Sequence, residues 1–105
     1  MSDELIVLVT VPGRADGERI AEAVVGEQLA ACVNILGPCR SIYRWEGKIE
    51  TAEEVPAIFK TSAATAEALV ARIAELHSYD TPAVTAWPIG HLPAPYAKWV
   101  EESVG

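Results

Sequence analysis

The stretch Ser41-Ile42-Tyr43-Arg44-Trp45-Glu46-Gly47-Lys48-Ile49-Glu50 limits what this chain can become more than any other, because it reads as a β-hairpin too long for the domain that carries it. Glu46-Gly47 is a two-residue turn signal, with Gly supplying the positive φ that tight hairpin turns require. With a loop of those two residues, Trp45 faces Lys48, Tyr43 faces Glu50, Arg40 faces Glu53 and, further back, Cys32 faces Thr61. That ladder sets Gly37-Pro38 against Val55-Pro56. Two prolines without backbone donors then fall at one level, and the pairing is expected to break there. Beyond the break, about 7 residues per strand form a ribbon on the order of 23 Å long. Such a two-stranded ribbon is marginal in water by itself. Ile42, Tyr43, Trp45 and Ile49 therefore need a cover, either the ribbon's own domain or, as the short chain favours, another subunit.

At 105 residues, half of them apolar, the chain is expected to fold as a single domain spanning residues 1–105, for which oligomerisation adds useful burial. No apolar run approaches the roughly 18 residues of a membrane span. The start Met1-Ser2-Asp3-Glu4 is acidic and leads straight into a strand, so a cytoplasmic location is expected. Fifteen acidic against eight basic residues give a formal charge of −7, which repels phosphate backbones and anionic membranes. Neither nucleic acid nor membrane is an expected partner. Cys32 and Cys39 are seven residues apart in one extended segment, beyond disulfide reach, and fall on opposite sheet faces unless a bulge intervenes at the proline break.

Leu5-Ile6-Val7-Leu8-Val9-Thr10-Val11 is an unbroken, largely β-branched run suited to a central strand. After Pro12-Gly13, Asp16 is expected to cap a helix with Ile20, Ala21, Val24, Val25 and Ala31 on its inner arc. A second strand over 31–35 and the hairpin follow, and residues 57–61 return to the domain. Ser62 is expected to cap a second helix, patterned by Ala66, Leu69, Ile73 and Leu76 and ending near His77. A turn-rich connection, a strand over 83–89 and a short helix starting at Pro95 complete the chain. The order β-α-β-β-α-β plus a terminal helix is the α+β, ferredoxin-like (split βαβ) pattern. That pattern hosts enzymes, binding modules and regulators alike.

Two constellations could carry chemistry. Arg14, at the N-terminus of the first helix, together with Asn34 on a neighbouring strand outlines an acylphosphatase-like hydrolase, with the arginine holding phosphate and the asparagine orienting water. His77, Tyr79 and Asp80, with Cys32 and Lys60 as neighbours, offer imidazole, carboxylate and thiolate to a borderline or soft metal. Their spacing does not close a site within one loop, and a histidine at a helix C-terminus equally serves the dipole or donates a loop hydrogen bond.

The blocks Leu29-Ala30-Ala31-Cys32-Val33-Asn34-Ile35, Ser41 through Glu50, Lys60-Thr61 and His77-x-Tyr79-x-x-Pro82 together closely resemble the CutA family of divalent cation tolerance proteins. The resemblance implies a ferredoxin-like subunit in a stable homotrimer similar to the PII signalling proteins, with the long hairpin joining sheets across subunits. It implies a non-enzymatic protein with no required cofactor, acting in tolerance of copper or other divalent cations through metal binding at inter-subunit clefts. A PII-like sensor of a small ligand, or a scaffold for a protein partner, is the alternative. On this pattern Cys32, His77 and Asp80 are the candidate metal ligands, Lys60 and Tyr79 the candidate cleft residues, and Ile42, Tyr43, Trp45 and Ile49 the candidate trimer contacts. Ser78 stands where the family has proline, Asp80 is a shortened glutamate, and Ala83 stands where glutamate commonly follows Pro82. The last departure removes a candidate ligand.

Overall fold

The β-branched run near the N-terminus forms the interior of an antiparallel sheet. The computed structural model describes residues 3–105, so Met1 and Ser2 of the acidic lead lie outside the described residues. The elements run β1 (Glu4–Val11), α1 (Arg14–Gly26), β2 (Cys32–Ile35), β3 (Cys39–Trp45), β4 (Lys48–Ser62), α2 (Ala63–Leu76), β5 (Val84–Pro88) and α3 (Ala94–Ser103). The sheet order is β2-β4-β1-β5, and β3 pairs with the outer part of β4. One face carries Val7, Val9, Val11, Ala57 and Phe59, all at most 1% exposed, against Ile20 and Val24 of α1 and Leu69 and Ile73 of α2. Alternation sends Ile6, Leu8, Ile58 and Lys60 to the other face, where burial is only partial. There α3 contributes the buried Val100.

Both turn residues of the hairpin have positive φ, 50° at Glu46 and 80° at Gly47, as a mirror-image turn between right-twisted strands demands. Trp45 pairs with Lys48, Tyr43 with Glu50 and Arg40 with Glu53, as the sequence predicts. Cys32 does not face Thr61. It pairs with Lys60, because residues 36–38 oppose only Val55 and Pro56 and form a one-residue bulge. The break is also one-sided. β4 runs through it uninterrupted, and the Leu36 N–H donates to the Pro56 carbonyl at 2.9 Å. The bulge flips the side-chain phase, so Cys32 and Cys39 share a sheet face as free thiols.

Helix starts differ from expectation in detail. α1 begins at Arg14 with Gly13 as its extended N-cap, which leaves Asp16 in the first turn. Val25 is 40% exposed, and Ala31 lies beyond the helix, its N–H bonded to the Lys60 carbonyl. Ser62 does occupy the N-cap of α2, but its hydroxyl meets Thr65 Oγ1 at 3.0 Å instead of a backbone N–H. The last strand is shorter than 83–89, and α3 starts one residue before Pro95.

The ribbon does not curl back over its own domain. The principal extents are 45 × 26 × 23 Å, and the radius of gyration is 14.2 Å. A compact chain of this length has about 13 Å. Ile42 and Ile49 are 67% and 68% exposed. Register sets these two on one ribbon face, while Tyr43 and Trp45, 44% and 51% exposed, occupy the opposite one with Cys39, Ser41 and Glu54.

Candidate functional site

Residues 77–83 lead from α2 to β5 and close over the end of β1. His77 is the C-cap of α2, held by its N–H to the Ile73 carbonyl at 2.9 Å, and is 7% exposed. Its Nε2 is 2.8 Å from the Thr10 carbonyl, which can only accept, so Nε2 carries the proton and donates. Nδ1 accepts the Tyr79 N–H at 3.0 Å. Both ring nitrogens are thereby engaged, which fixes the tautomer. A metal at either nitrogen would have to displace a bond that holds the loop. His77 serves here as the loop-bonding histidine rather than as an open ligand.

Tyr79 carries the connection onward. Its ring packs on His77 with centroids 4.7 Å apart, and its hydroxyl donates to Glu54 Oε2 at 2.9 Å. Burial first, then the bond to the Glu54 carboxylate and its charge, push the Tyr79 phenol up to about 12, so at neutral pH it keeps the proton it donates. Glu54 itself is 7% exposed. Between this loop and the inner face of the ribbon lies a cleft of about 490 Å³, lined by Thr10, Tyr43, Trp45, Glu54, Tyr79 and Asp80 among others.

A second cluster sits at the far edge of the sheet. Cys32 Sγ is 3.7 Å from the Tyr96 hydroxyl, and burial followed by the Cys32 contact pushes that phenol up to about 12. Lys60 Nζ donates to Asn34 Oδ1 on the neighbouring strand. Cys32 is level with Lys60, whereas Thr10, which holds His77, is level with Pro56. Four residues along β4 separate the levels, on the order of 13 Å. Cys32 therefore does not join His77 and Asp80 within one chain, and among the described residues no three His, Cys, Asp or Glu side chains gather where they could hold a metal. His77, Tyr79 and Asp80 do come together, as do Cys32 and Lys60, in two separate groups.

Arg14 and Asn34 are also apart. Arg14 bonds Glu18 at 3.3 Å in the helical layer. Val33 and Ile35 pack into the core, so Asn34 between them points to the other side of the sheet. No phosphate-and-water arrangement forms from this pair. Glu54 is the residue that sequence reasoning missed. The hairpin ladder already set it opposite Cys39, in phase with Tyr43 and Trp45, and an acid in phase with two aromatic rings was the available signal.

Comparison with known proteins agrees with this architecture over nearly the whole chain. The model of the CutA1 divalent ion tolerance protein family matches residues 5–103. The divalent-cation tolerance protein CutA of Thermus thermophilus is 39% identical over 97% of this chain and 99% of its own. The chloroplastic protein CutA 1 of Oryza sativa is 40% identical over 94% of this chain, which spans only 56% of that relative's length. A second chloroplastic relative, from Arabidopsis thaliana, is likewise about half covered, at 54%. Among solved structures, CutA from Xylella fastidiosa has a TM-score of 0.96 at 35% identity, covering 99% of this chain and 100% of that one. A homologue from Archaeoglobus fulgidus is described as periplasmic, and no helix among the described residues is long and apolar enough to cross a membrane. The relatives' names record a tolerance phenotype and no reaction. With a family match from the first strand to the last helix and a shared fold, this chain belongs to the CutA1 divalent ion tolerance protein family.

Proposed function

We propose that the chain acts as one ferredoxin-like domain in a PII-like homotrimer that contributes to divalent-metal tolerance without catalysing a reaction, copper being among the cations it meets. Family membership supports the metal role. The observation that carries assembly is the uncovered Ile42 and Ile49 face of the projecting ribbon, 67% and 68% exposed. In this reading that face docks on a neighbouring subunit, and Tyr43 and Trp45 edge the crevice that docking leaves. Two free thiols suit a reducing compartment such as the cytoplasm.

Metal is held weakly in this proposal, between subunits, because one chain sets Cys32 about four residues of strand from the level of Thr10, which lines the cleft with Asp80. Cys32 from one copy and Asp80 from another supply the ligands, with Lys60 at the cleft edge, while His77 holds the loop in position. Titration calorimetry with copper and with zinc tests this on the wild type, Cys32→Ala and Asp80→Ala. The reading expects lower stoichiometry in both variants. Unchanged stoichiometry in both overturns it.

A second reading, a sensor of a small organic ligand, is favoured by one observation. The cleft of about 490 Å³ beneath the ribbon falls in the size range of small-molecule sites, roughly 300–1,000 Å³.

A further inference from the structure

We propose that the cleft beneath the ribbon binds an organic ammonium group, held over the rings of Trp45, Tyr43 and Tyr79 and neutralised by Glu54. The inference rests on the small-ligand reading above and names the chemistry of the ligand.

Three observations point the same way. The cleft is lined by three aromatic side chains, Tyr43, Trp45 and Tyr79, the residue types whose rings attract a desolvated cation. Glu54 as a residue is 7% exposed, yet the hydrogen-bond partner of its carboxylate is a neutral phenol, Tyr79. Among the described residues the ion pairs are Arg14–Glu18, Arg19–Asp16 and Arg72–Glu27, so no lysine or arginine reaches Glu54. A buried carboxylate is ordinarily paired with a cation. Here the residue lines the cleft beside the three aromatic side chains. The third observation is the shared sign of the surroundings, since Asp80 also lines the cleft and the chain carries a formal charge of −7.

The geometry selects an organic cation over a metal ion. Calcium takes six to eight oxygens, and zinc is ordinarily held by three or four nitrogen, sulfur or carboxylate ligands. Among the described residues no three suitable side chains converge, and His77 has both nitrogens engaged. An alkylated ammonium needs only ring faces, one carboxylate and room. Ile42 and Ile49, on the opposite ribbon face, remain free for contact between subunits.

The test is calorimetric titration of the full chain with choline and with its neutral isostere 3,3-dimethylbutan-1-ol. Choline is expected to saturate the site, with the isostere at least about tenfold weaker. Trp45→Leu, a change at a half-exposed position, is expected to weaken choline by about tenfold with the circular dichroism spectrum unchanged. Glu54→Gln is expected to reduce the preference for choline over the isostere. Equal binding of the two probes would keep a small-ligand cleft and overturn the ammonium inference. Binding of neither would overturn both. Choline affinity unaltered in Trp45→Leu would also overturn it.

Discussion

Two stretches of one sheet face, the part under the helices and its continuation along the ribbon, treat similar residues in opposite ways. On the helical side Val7, Val9 and Phe59 are fully buried under α1 and α2, whereas at the ribbon Ile42 and Ile49 stand about two-thirds exposed. All of these are good strand formers, and the backbone around each is regular. What differs is cover. Under the helices the core is completed within the chain, and along the ribbon the same face is left uncovered by it. A strand pattern thus reports that a face wants burial but does not say whether the chain supplies it.

The widest contrast comes from truncating one residue in each stretch. Phe59→Ala should cost about 3–5 kcal/mol in urea unfolding, as removal of a fully buried ring does. Ile49→Ala should cost less than about 0.5 kcal/mol if the ribbon stays wet. A larger cost that grows with protein concentration would mean that another copy covers Ile49. Next in size is the joint between the two regions. Tyr79→Phe withdraws the donor from the buried Glu54 carboxylate and should cost about 1–3 kcal/mol, read as a lower urea midpoint.

That joint also has a pH signature. Tyr79 and Tyr96 are both pushed up to about 12 from an ordinary value near 10, so folding favours their neutral forms. Their contribution is fully present below about pH 10 and is lost as pH rises toward about 12. The urea midpoint should fall across that window, and Tyr79→Phe should flatten part of the fall. The smallest effects concern backbone strain. Gln28 and Glu46 hold φ of 60° and 50° without being glycine. Gln28→Gly and Glu46→Asn should each relieve up to about 1 kcal/mol. The first should raise the midpoint of the whole domain, and the second should do so only if the ribbon is coupled to the core by assembly.

Much of this was legible in residue order. The β-branched run, the apolar period of α2 and the Glu46-Gly47 turn each have a local physical cause, and each appears where that cause puts it. The two prolines announced a break, but nothing local says which strand carries the extra residue. The bulge at 36–38 moved Cys32 from Thr61 to Lys60 and changed which face it shares with Cys39. The state of His77 was equally illegible, because its two partners, the Thr10 carbonyl and the Tyr79 N–H, are brought together only by the packing of the loop on β1. Glu54 could be placed on the aromatic face by counting, but its bond to the Tyr79 hydroxyl depends on where the loop after α2 packs.

The central claim is that the projecting ribbon is covered by further copies of the chain. Multi-angle light scattering on the purified protein at low micromolar concentration tests it most directly. The account predicts a particle of three chain masses that dissociates when Ile42 and Ile49 are both changed to lysine. A particle of one chain mass, with the ribbon exposed to solvent, would contradict it.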